Sequence, residues 1–97
     1  MPTYITLIRY TQQGIEKMKD SPTRLEAAKQ SVRQMGGEIK AFYLVMGQYD
    51  GVVVSELPDD ETATKFAIAT AARGFVRTET LRAYPEAEYR KIIAALP

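Results

Sequence analysis

The chain has no cysteine and no histidine among its 97 residues. Without cysteine there is no disulfide, no thiolate nucleophile and no thiolate metal ligand; this accords with a reducing cytoplasm, the expected location. Without histidine the usual general base near neutral pH and the commonest metal ligand are both missing, so Ser-His and Cys-His nucleophile pairs are excluded. No apolar run approaches the roughly 18 residues that a membrane helix needs. The opening Met1-Pro2-Thr3-Tyr4-Ile5 lacks the basic and apolar regions of a signal peptide, and no membrane association is expected. Charge of one sign is also scarce: the net charge is +1 and the basic residues are scattered, which disfavours a nucleic-acid partner.

What is present reads as one domain over residues 1–97. Tyr4 to Tyr10 is rich in β-branched and aromatic residues and predicts a strand. Thr11-Gln12-Gln13-Gly14 breaks it, and a short helical turn is expected at Ile15 to Lys19. Ser21-Pro22 predicts a helix start, with serine as the cap and proline in the first turn. Leu25, Ala28, Val32 and Met35 then share one helical face, and Gly36-Gly37 ends the helix. Ile39 to Met46 and Val52 to Ser55 predict a hairpin around Gly47-Gln48-Tyr49-Asp50-Gly51. Pro58-Asp59-Asp60-Glu61 opens a second helix, with negative charge at its positive dipole end and Ala63, Phe66, Ala67 and Thr70 inward. Gly74 closes it. Phe75 to Tyr84 predicts a fourth strand, and Pro85-Glu86 a last helix with Tyr89, Ile92, Ile93 and Leu96 on its apolar side. The order βαββαβ plus a terminal helix is the α+β, ferredoxin-like split-βαβ pattern, with a four-stranded antiparallel sheet.

The strands do not alternate cleanly between apolar and polar residues. Ile5 and Leu7 oppose Tyr4, Ile8 and Tyr10; Ala41, Tyr43 and Val45 oppose Phe42, Leu44 and Met46; Val53 opposes Val52 and Val54. Both sheet faces are therefore apolar, whereas two long helices cover one. The other requires either the terminal helix folded beneath it or a second copy. The second copy is the expected partner, giving a homodimer or higher homo-oligomer.

Two polar clusters stand out. In the hairpin connection, glycine chemistry at Gly47 and the turn-forming propensity of Asp50 explain the loop without a ligand. The functional alternative is that Tyr49 and Asp50 present a hydroxyl and a carboxylate at the mouth of the second sheet face. On the last strand, alternation pairs Arg77 with Glu79 and Thr78 with Thr80. A surface or intersubunit ion pair accounts for the first pair; a polar pocket lining is the alternative. Thr6 and Lys65 are weaker candidates, Lys65 reading more simply as solvated. The acidic run Asp59-Asp60-Glu61 does not have calcium-loop spacing and reads as helix-start charge. No metal or cofactor is expected.

Several stretches resemble the GYD domain family: Tyr4-Ile5-Thr6-Leu7, Gln13-Gly14-Ile15, Asp20-Ser21-Pro22, Arg24-Leu25-Glu26-Ala27-Ala28-Lys29, Phe42 through Asp50, Pro58-Asp59-Asp60-Glu61, Lys65-Phe66-Ala67 and Val76 through Ala83. The name-giving element corresponds to Gly47, Tyr49 and Asp50, with Gln48 between. The resemblance implies the dimeric α/β-barrel superfamily, in which two ferredoxin-like sheets pack together. That architecture carries effector-binding domains and small cofactor-free oxygenases and isomerases, many of which use a histidine that this chain lacks. Three readings follow. The first is an oligomeric small-molecule-binding module using Tyr49, Asp50, Arg77, Glu79 and Thr6. The second is a cofactor-free enzyme with Asp50 or Glu79 as base and Tyr49 or Arg77 stabilising negative charge. The third is an interaction subunit that docks on a larger enzyme.

Overall fold

The computed structural model describes residues 1–97. Four strands form one antiparallel sheet: β1 (Thr3–Tyr10), β2 (Glu38–Leu44), β3 (Gly51–Glu56) and β4 (Val76–Ala83), in the order β2-β3-β1-β4. The helices are α1 (Gln12–Glu16), α2 (Ser21–Gln34), α3 (Asp60–Ala72) and α4 (Glu86–Ala94), with a single 3₁₀ turn at Met18–Asp20. This is the expected ferredoxin-like α+β architecture.

Local chemistry explains the elements and the places where the sequence expectation shifts. The helical turn after β1 starts at Gln12, earlier than Ile15, because Thr11 caps it: its hydroxyl oxygen accepts the Gly14 N–H at 3.1 Å. Ser21 is already helical, and the N-cap position of α2 falls on Asp20, whose side chain makes no capping bond. Pro22 lies in the first turn, as expected. Asp59 caps α3, accepting both N–H and hydroxyl of Thr62 at 2.8 and 2.7 Å. Those bonds hold its carboxyl below the usual carboxylate range. Gly36 has φ +88°, the left-handed conformation that ends α2. Strand β2 stops at Leu44, two residues before Met46.

One irregularity sets the side-chain pattern of β2. Ile39 pairs with Ser55 and Ala41 with Val54, so Lys40 is an extra residue in a bulge. The bulge switches the alternation, and Ile39 and Phe42 both turn towards the helices.

The helix-covered side of the sheet is closed at one end only. Tyr4, Val32, Leu57 and Ala63 form the buried core, with Met35, Ile39 and Phe66 packed against it. From Thr6 towards Tyr10 the helices leave a mainly apolar cavity of about 490 Å³ above the sheet. The opposite sheet face carries Ile5, Leu7, Val52, Val54, Ala41, Tyr43 and Leu81 by register, and no helix of the chain covers it. Tyr43 and Leu81 are exposed. Every residue of α4 is exposed, and the helix does not pack beneath the sheet. No helix is long and apolar enough to cross a membrane.

Candidate functional site

The loop between β2 and β3 folds back along the end of β1. Asp50 donates its N–H to the Ile8 carbonyl at 2.8 Å and accepts the Val45 N–H on its own carbonyl at 2.9 Å. Its carboxylate oxygen Oδ2 accepts the Tyr10 N–H at 2.9 Å. Asp50 thus extends the ladder with main-chain and side-chain bonds together and clamps the loop to the central strand. Gly47, with φ +123° and open space around it, supplies the left-handed bend.

The clamp delivers Tyr49 to the uncovered sheet face. Its hydroxyl donates to Glu79 Oε2 on β4 at 3.1 Å. The Arg9 guanidinium lies over the Tyr49 ring, 4.7 Å from its centre, and Arg9 Nε donates to the Gln48 carbonyl at 2.9 Å. Arg77 stands directly opposite Arg9 in the β1–β4 register and is exposed, with no carboxylate within ion-pair distance. Tyr49, Glu79, Arg9 and Arg77 therefore make a polar rim with a surplus of positive charge beside the apolar open face.

The structure brings together only part of the shortlist. Tyr49 and Glu79 touch, and Arg77 is their neighbour. Asp50 lies close in sequence, but its carboxylate serves the Tyr10 amide. Thr6 is on the helix-covered face, where its hydroxyl is 3.5 Å from that of Thr80, and both line the cavity. Lys65 is exposed on α3, with Glu61 at 3.5 Å. Arg9 was not on the shortlist. Strand alternation with Ile5 and Leu7 is the signal that places it on the open face.

A second polar cluster lies at the packed end. The buried Tyr4 hydroxyl donates to Asp60 Oδ1 at 2.5 Å. Burial, then this bond and the charge of Asp60, push the phenol up to about 12. Arg82 caps the edge of this cluster, stacked 4.4 Å from the centre of the Tyr84 ring. Asp60 thus does more than supply helix-start charge.

A four-stranded antiparallel sheet with helices on one face and an uncovered apolar face on the other defines a ferredoxin-like α+β domain. The GYD domain model matches residues 4–93, and the chain belongs to that family. A Thermus thermophilus relative, the glutamine synthetase and cystathionine beta-lyase binding protein, is 38% identical over 89 residues, covering 91% of this chain and 94% of that protein. The crystal structure of TTHA0845 from Thermus thermophilus superposes with a TM-score of 0.53 at 29% identity, covering 88% of this chain and 99% of the other.

Proposed function

We propose that this chain is a self-assembling protein-interaction module: copies pair through the open sheet face, and the assembled unit docks on a larger enzyme. The observation that carries the pairing is α4. Its side formed by Tyr89, Ile92, Ile93 and Leu96 is exposed, and it does not pack against a sheet whose own apolar face is bare. Two such copies bring together two apolar faces and two apolar helices that a monomer leaves in water. Apolar burial contributes about 25 cal/mol per Å², so a sheet-sized contact is a sizeable driving force for a chain with so few buried core residues.

The docking half of the reading rests on the relative, whose name describes a protein that binds two enzymes. It also agrees with the hairpin end, where Leu44, Val45 and Met46 are exposed in series. Glu79 and Asp50, the candidate bases of an enzymatic reading, do not line the apolar cavity. That favours interaction over catalysis by either carboxylate.

The test is titration of the purified oligomer with purified glutamine synthetase and, separately, cystathionine β-lyase from the same organism, followed by sedimentation velocity. A faster boundary containing both proteins in fixed ratio is the expected result. Independent sedimentation of both components with each enzyme contradicts the docking half.

A further inference from the structure

We infer that the cavity between the sheet and the helices is a binding site for a hydrophobic monocarboxylate, an aliphatic acid whose hydrocarbon body lies on the sheet and whose carboxylate meets Arg24 and Arg73. Three observations carry this. The first is size: about 490 Å³ lies within the range of small-molecule sites, roughly 300–1,000 Å³. The second is chemistry. The walls are mainly apolar, with Ile8, Phe42, Leu25 and Phe66 among them, and the polar neutral groups are hydroxyls such as Thr6 and Thr80. The only charged lining residues are Arg24 and Arg73; no Asp, Glu or Lys reaches the cavity. A cationic wall without a counter-charge selects an anion and rejects a cation.

The third is an unsatisfied donor. Arg24 donates through Nη1 to the Lys17 carbonyl at 3.0 Å and stacks 4.3 Å from the centre of the Phe75 ring. Its Nη2 is shielded from solvent and has no hydrogen-bond partner. Buried charges in native folds are compensated, and this one lies within the cavity wall with no carboxylate beside it, so its charge favours an anion in the cavity without requiring a direct bond to Nη2. Arg73 follows α3 in sequence as its C-cap and lines the same cavity from the opposite crossover connection. The site is on the helix-covered face, so it is separate from the open face through which copies pair.

The probes are decanoate, 1-decanol and decylammonium, each below its aggregation concentration, with calorimetric titration and thermal melting of the full chain. Decanoate is expected to bind and raise the Tm, at least about tenfold tighter than either of the others. Arg73→Gln, a change at an exposed residue, weakens decanoate about tenfold and leaves decanol unchanged. Arg24→Gln acts in the same direction, and circular dichroism shows whether it remains folded; Arg73→Gln carries the test if it does not. Ala28→Phe fills the cavity, keeps the Tm and abolishes binding of all three. Equal affinity for decanoate and decylammonium overturns the anion assignment. Binding of none of the probes, with Ala28→Phe changing the oligomer mass, makes the cavity an interface between copies and overturns the site.

Discussion

Asp50 Oδ2 accepts the main-chain N–H of Tyr10 at 2.9 Å, across 40 residues of sequence. Together with the main-chain bond from Asp50 to Ile8, this bond joins the GYD loop to the end of β1 and holds Tyr49 beside the strand-borne Arg9, Arg77 and Glu79. Removing the acceptor leaves a partly buried amide unpaired. Asp50→Ala is therefore expected to lower stability by about 1–3 kcal/mol, and Asp50→Asn, which keeps an acceptor oxygen, by less. Urea denaturation measures both; equal midpoints for all three proteins contradict the clamp.

The Tyr49–Glu79 contact is exposed and belongs to a different class. A double-mutant cycle of Tyr49→Phe and Glu79→Gln is expected to give a coupling below about 1 kcal/mol. A coupling well above that, in the isolated chain, contradicts the reading of this pair as an exposed contact of small worth.

Tyr4 provides a pH signature. The ordinary phenol value is 10.0, and in the fold it is pushed up to about 12. Folding therefore favours the neutral phenol. The stabilisation is fully present below pH 10, and is lost as pH rises from 10 to about 12. In a spectrophotometric titration of the six tyrosines, one is expected to ionise last and together with loss of the far-ultraviolet helix signal. Tyr4→Phe removes that final step. Uniform titration of all six near the ordinary value contradicts the buried Tyr4–Asp60 pair.

Gly14 is fixed by packing. A Cβ there stands 2.1 Å from the Phe75 carbonyl oxygen, on the chain that leads into β4. Gly14→Ala forces α1 away from that chain and is expected to cost about 3 kcal/mol. An unchanged melting temperature contradicts this close approach.

Much of this architecture was legible in the residues. The hydrophobic periodicity of Leu25, Ala28, Val32 and Met35, the glycine stops and the β-branched runs each encode one local element, and their order leads to the sheet. The doubly apolar strands likewise revealed an uncovered face. Side-chain destinations were harder to read. The turn propensity of Asp50 does not say which amide it accepts, and a clamp to Tyr10 emerges only once β1 and the hairpin lie side by side. The bulge at Lys40 leaves no strong signal, yet it turns Phe42 into the cavity. The unpartnered Nη2 of Arg24 depends on where Phe75 and Lys17 come to rest, two contacts distant in sequence from each other.

Pairing through the open face is the central claim, and Leu81 stands on that face, opposite Ile5 and exposed. Sedimentation equilibrium of the wild-type chain and of Leu81→Glu tests it most directly. Wild type is expected at twice the chain mass or a higher multiple, with Leu81→Glu shifted to the single-chain mass while retaining its circular dichroism spectrum. A wild-type chain that sediments as a monomer at micromolar concentration, or a Leu81→Glu oligomer as tight as wild type, contradicts it.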